Sequence, residues 1–153
     1  MALIDSILRG RLSQLFGQRL NSIGDIAARI ADSYQVYCST ATGSLSDPVV
    51  LLGAENLVLR TVLSRILSQR LPGAAAAQEI GSAVQRYWTV PPIKTAAGGI
   101  CASILVGPGV GRLMSARAAS TREAADNLSA ALEMMTKTVI FSYPPPIPPG
   151  KIL

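Results

Sequence analysis

The side chains able to do chemistry are few and poorly grouped. Histidine is absent, which removes Ser–His and Cys–His nucleophile pairs, since both need an imidazole to take the proton. The nine carboxylates are thinly spread. Asp25 and Asp32 share a helical face but stand two turns apart, about 10 Å along the axis and too far to trade a proton. Glu123 and Asp126 fall in the first turn of a helix, where negative charge complements the macrodipole. Only Lys94, Lys137 and Lys151 are lysines, and none completes a Ser-x-x-Lys frame. Cys38 and Cys101 lack the paired spacing of a metal or redox site and read as two small buried thiols. Gly107-Pro-Gly109-Val-Gly111-Arg112 invites comparison with a dinucleotide-binding loop. Arg112 stands where that pattern needs its third glycine, and no strand–helix–strand unit flanks it. The expectation is therefore a protein that is not an enzyme, with no catalytic, cofactor-binding or metal-binding residue.

Composition points to burial instead. Apolar residues make up 49% of the chain and charged residues 15%, against roughly 25% charged in an average soluble domain. Arginine supplies eleven of the fourteen cations, so the net charge of +5 is carried mostly by a residue that interfaces favour over lysine. A nucleic-acid surface would need these cations clustered. Arg9, Arg11, Arg19, Arg29, Arg60, Arg65 and Arg70 are instead set singly among leucines. No uncharged run is long and unbroken enough for a transmembrane helix: between Lys94 and Arg112 six glycine and proline residues interrupt it. The Arg-containing N-terminal stretch resembles a presequence in pattern, but Asp5 interrupts it, and a retained structural helix is expected there.

The elements follow from apolar spacing. Residues 2–37 read as helix, with Leu3, Ile4, Ile7, Leu8, Leu12, Leu15, Phe16, Leu20, Ile23, Ile26, Ile30 and Tyr34 recurring at three- and four-residue steps and a break near Asn21 to Gly24. Residues 39–48 are a turn region. A second helix begins at Val49 or Gly53 and runs to Leu71, with Leu57, Val58, Val62, Leu63, Ile66 and Leu67 as its apolar face. A third spans Ala74 to about Tyr87, rich in alanine and so able to pack closely. Ile100 to Val106 is a short strand or a buried helix. A fourth helix covers Ala119 to Lys137, where Ser120 and Glu123 have capping-box spacing. Val139 to Tyr143 is extended. The fold class expected is mainly α: a bundle of about four helices with short extended segments. It forms one domain over 1–143, with possible sub-units 1–72 and 73–143, and residues 144–153 are a proline-rich arm in polyproline II conformation.

Partner-binding residues are read from the two places where a helix runs into prolines. Tyr87 and Trp88 precede Pro91-Pro92, and Phe141 and Tyr143 precede Pro144-Pro145-Pro146. These aromatics either anchor the exits to the chain's own core or dock on a neighbour. The arm itself, Pro144, Pro145, Pro146, Ile147, Pro148 and Pro149, cannot join a central strand but is stiff enough to lie in a partner's groove at small entropic cost. The two exits lie about 54 residues apart, and Gln35-Val-Tyr37 is a fainter third copy, short of a solenoid.

Ala-rich helices ending in an aromatic and then a proline-rich exit, over roughly 74–98 and 124–151, resemble small structural proteins of tailed bacteriophage virions. That resemblance implies a multi-copy subunit at a capsid, connector or tail interface, in a virion if the chain is viral and otherwise in the cytoplasm. Its partners would be other copies of itself or other structural proteins. Two further readings are a peripheral membrane protein anchored by residues 2–20 and a small basic nucleic-acid binder.

Overall fold

Leucines at helical spacing set the first element. Helix α1, Asp5–Phe16, buries Leu8, Leu12 and Leu15. The computed structural model describes residues 3–19 and 22–153. The helix expected over 2–37 is in fact two. Gly17 caps α1, and α2, Ile23–Cys38, restarts behind Ser22, whose hydroxyl accepts the Asp25 N–H at 3.1 Å. The expected break is thus built by a glycine stop and a serine N-cap; Ala2, Leu20 and Asn21 lie outside the described residues. Helix α3 spans Ala54–Gln69 and α4 spans Gly73–Thr89. Of the two starts considered for α3, Gly53 is the one used, at φ 87. Val49–Val50 is a strand instead.

Helix α5, Pro108–Ser115, was hidden in the glycine-rich stretch. Pro108 sits at its first position, where the missing N–H costs nothing. Helix α6, Thr121–Thr136, has the expected cap: Ser120 accepts the Glu123 N–H at 3.1 Å, and the Glu123 carboxylate accepts the Ala119 N–H at 2.6 Å. Among the described residues the bundle therefore has six helices, not about four.

These six are three hairpins: α1–α2, α3–α4 and α5–α6. Residues 70–72 and 116–120 make the short turns within the second and third hairpins, and six residues, 17–22, separate α1 from α2. After each hairpin the chain becomes extended, over 41–50, 90–103 and 139–152. The N-cap positions of the second helices, Ser22, Pro72 and Ser120, are 50 and 48 residues apart. Every helix packs on its predecessor, and α6 packs back on α1, so the helices form a closed ring. Two ends result. The short turns lie at one end, and all the extended segments lie at the other.

The extended segments make a five-stranded antiparallel sheet in chain order: β1 (Val49–Val50), β2 (Lys94–Thr95), β3 (Ile100–Ser103), β4 (Ile140–Ser142) and β5 (Gly150–Lys151). Side chains alternate across it. Val49, Thr95, Cys101 and Phe141 point inward, while Val50, Lys94, Ile100 and Ser142 point outward. Backbone bonds then close the sheet. Thr42 and Leu153 exchange bonds of 3.1 and 2.8 Å, and the Val49 N–H donates to Ala41 O at 3.1 Å. Residues 41–42 thereby join β5 to β1, and neither strand is left as an open edge.

This closure corrects the tail. Residues 144–153 are no arm. They turn at Pro144 to Ile147, where the Ile147 N–H donates to Pro144 O, and return as β5. The prolines occupy the turn, where no ladder donor is needed. Gly150 to Leu153 supply the N–H groups, and Ile152 is buried.

The core is densest next to the sheet. Tyr34, Tyr37, Tyr87, Trp88 and Phe141 are all fully buried and meet edge to face or tilted, with ring centroids 5.2–6.3 Å apart. One chain of hydrogen bonds crosses all three hairpins. Trp88 Nε1 donates to Tyr34 Oη at 2.9 Å, and Tyr34 Oη lies 2.7 Å from Thr136 Oγ1. Thr136 spends its only proton on Leu132 O. Tyr34 must therefore be the donor to Thr136.

Candidate partner-binding surface

The four aromatics named as partner-binding are turned inward. Tyr87, Trp88 and Phe141 are fully buried and Tyr143 is 5% exposed. Of the two readings of the helix exits, anchoring to the chain's own core is what the structure displays. The reason is the sheet. Its inner face needs large side chains over the ends of α2, α4 and α6, and these residues fill that layer.

Tyr143 does more than fill space. Its hydroxyl donates to Asp47 Oδ1 at 2.9 Å, and Asp47 Oδ2 accepts the Ala97 N–H at 3.0 Å. The Thr95 hydroxyl, which accepts from the Gly99 N–H at 2.9 Å, also bonds Asp47. Burial pushes the Asp47 carboxyl up, but the bonds from Thr95, Ala97 and Tyr143 outweigh it and hold it below its ordinary value. One carboxylate thus ties the three extended segments together. Two glycines make room: a Cβ on Gly43 would come within 1.9 Å of Tyr143 Oη, and one on Gly99 within 2.6 Å of the same ring.

Outside this node the surface is open and apolar. Gly98, Ile100, Ala102, Ser142, Tyr143 and Pro144 line a hollow of about 370 Å³ on the outer face of the sheet. Tyr143 and Pro144 are the predicted residues that reach it. Pro144, Pro145, Pro146, Pro148 and Pro149 are exposed, and Ile147 is half-buried against the core. The prolines thus stand on a rigid turn beside the hollow.

Sequence reasoning missed the larger part of this surface. Leu52 is 76% exposed, Leu57 66%, Leu105 65% and Val90 62%. Leu57 is not on the buried face of α3, which carries Glu55, Asn56, Leu59, Leu63 and Ile66. The available signal was angular: Leu57 stands two residues from Leu59, on roughly the opposite side of the helix.

The remaining candidates are structural. Asp32 takes Arg60 through both oxygens, at 2.9 and 3.1 Å, and Asn56 at 2.6 Å, joining α2 to α3. Asp25 holds Arg29 one turn on, and Asp126 faces Arg9 of α1. Gly107 caps α5. Cys38 and Cys101 are free and buried. Burial pushes the Cys38 thiol far up, partly offset by Tyr34 and Tyr87, and pushes Cys101 up to about 11. Among the described residues no three Cys, Asp or Glu side chains gather as a cation site would require, and no helix is long and apolar enough to cross a membrane. In α1, Leu8, Leu12 and Leu15 are spent on the core.

No protein-family model, no curated protein and no solved structure matches this chain. Its fold and surface have to be read on their own terms.

Proposed function

We propose that this chain is a non-enzymatic assembly subunit that docks on neighbouring subunits through the end of the molecule that carries the sheet. The observation that carries this reading is the sorting of exposed apolar groups. Among the described residues, twelve large apolar side chains are exposed, and eleven of them lie at the sheet end: Ile4, Leu45, Val50, Leu52, Leu57, Val90, Ile100, Leu105, Val106, Met134 and Leu153. Only Ile23 lies at the other end. Scattered apolar residues need no explanation, but a one-sided set marks an interaction surface. The exposed prolines share that end.

The closed sheet favours docking through side chains. Without a free strand edge, strand addition is not on offer. A neighbour is met by side chains, with the outer row of the sheet, the hollow and the proline turn as the floor. By its resemblance to virion proteins, such a subunit belongs at a capsid, connector or tail interface, bound to copies of itself or to other structural proteins.

Light scattering on a sizing column tests the proposal. The wild-type chain should run as a discrete oligomer above its 16.0 kDa monomer mass. Leu52→Glu/Leu57→Glu should return it to monomer with an unchanged circular dichroism spectrum, since exposed substitutions cost within about 0.5 kcal/mol of fold stability. A wild-type chain that stays monomeric and soluble at high concentration would overturn the reading.

A further inference from the structure

The end of the ring opposite the sheet is built differently. There the six helices do not fill their own interior. They leave a cavity of about 220 Å³, walled by all six of them and by residues 116 and 118. Phe16, Leu63, Ile66, Ile80, Leu113 and Leu128 form most of the wall, and Asn127 is its single polar side chain. An apolar cavity of about 150 Å³ stays dry and admits benzene, so this one has room for roughly nine carbons.

Arginines stand close in sequence to the residues of this wall. Arg112 precedes Leu113 of the wall, and Arg117 stands between Ala116 and Ala118. Arg70 ends α3 and Arg19 follows α1; all four are exposed. Among the described residues none of them is in an ion pair, whereas Arg9, Arg29, Arg60, Arg65 and Lys137 all are. The carboxylates at this end are already engaged: Asp25 by Arg29, Glu79 by Arg65, Asp126 by Arg9, and Glu123 by the Ala119 N–H. Arg70 also holds a left-handed backbone position, φ 50, that usually falls to glycine or asparagine. The chain keeps a long cationic side chain there despite the conformational cost.

An apolar well under uncompensated arginines matches one kind of molecule. We propose that the cavity binds a single-chain anionic amphiphile of medium length, with its tail among the six helices and its acidic head group on these arginines. The tail provides affinity by leaving water, at about 0.8 kcal/mol per methylene before ordering costs. The head group provides selection, because guanidinium pairs with carboxylate or phosphate in two-point geometry. This site is separate from the sheet-end surface and does not depend on it.

Calorimetric and NMR titration with decanoate tests the proposal, with decyltrimethylammonium as the same tail under the opposite charge. Decanoate should bind one per chain, and the cationic analogue at least about tenfold more weakly. Ala76→Leu, which fills the cavity from its wall, should abolish binding while melting is unchanged or raised. Arg70→Glu/Arg117→Glu, at two exposed positions that leave the fold intact, should weaken decanoate by about tenfold. Vesicles of phosphatidylcholine doped with phosphatidylglycerol form a separate arm: binding them alongside decanoate would point to a lipid source for the ligand. Equal binding of both amphiphiles overturns the proposal. So does decanoate binding that survives Ala76→Leu, or vesicle binding with none to decanoate.

Discussion

Tyr34→Phe removes one oxygen from the centre of the molecule, and its cost can be worked out from the bonds it leaves. Tyr34 Oη accepts from Trp88 Nε1 and donates to Thr136 Oγ1, and all three residues are fully buried. After the change Thr136 still has Leu132 O as a partner. The indole N–H has nothing. An orphaned buried donor costs roughly 1–3 kcal/mol, far more than the net worth of an ordinary hydrogen bond. We expect a loss of about 2 kcal/mol, seen in urea unfolding followed by circular dichroism. For a domain of this size each kcal/mol moves the midpoint by about 2–4 °C, so Tm should fall by about 4–8 °C. The double-mutant cycle with Trp88→Phe decides the cause. Once the donor is gone, Tyr34→Phe should cost less, with a coupling energy of about 1 kcal/mol or more. A single-mutant cost within 0.5 kcal/mol, or strict additivity in the cycle, would refute the claim that this bond ties the hairpins together.

Gly43→Ala should cost about 2 kcal/mol or more, because its methyl would displace Tyr143 from Asp47. Gly10→Ala, on an open face of α1, should add about 0.5–1 kcal/mol in the same Tm measurement. The Asp47 carboxyl titrates below its ordinary value in the fold, so its contribution is present above an unfolded pKa of about 3.9 and fades as pH falls through the lower folded pKa. Asp47→Asn should flatten that part of the acid side of a stability–pH profile, and an unchanged profile would count against the node. Deleting residues 144–153 removes β5 and the buried Ile152, at about 1.5–3 kcal/mol for that side chain alone. It should therefore lower Tm of the monomer, where a projecting arm would have left it unchanged. In a thiol-reagent assay Cys38 should stay unreacted in the native protein and react fully in denaturant.

What could be read from the sequence divides by the range of the physics. Helices announce themselves locally: the leucines of α1, the Ser120–Glu123 cap of α6 and the alanines of α4 each lie within a few turns of the residues they organise. Helix α5 escaped because Gly107 to Gly111 lowers its intrinsic propensity, and its one local sign, Pro108 at the first position, is equally at home in a turn. Of the strands, β4 falls in the segment read as extended and β3 in the one left open between strand and helix, but the two-residue strands β1, β2 and β5 were beyond reach, since Val49 owes its conformation to Thr95 and Gly150 owes its own to Phe141. The tail failed for the same reason. Its prolines exclude ladder bonds only where they stand, and the partner of Leu153 is Thr42, more than a hundred residues away. The apolar docking surface was misassigned where an exposed leucine was counted into the buried face of its helix, as at Leu57, which lies opposite Leu59.

The two extremities of the described chain meet on one short stretch. The Ile4 N–H donates to Thr40 Oγ1 at 3.2 Å, and Leu153 is paired with Thr42. A ring closed in this way specifies neighbours but no starting point. A circular permutant, cut between Leu52 and Gly53 and joined from the tail to α1 by a few glycines, would keep every hairpin and every helix–helix pairing of the parent. The linear order of the hairpins is one of three cyclic readings of the same architecture.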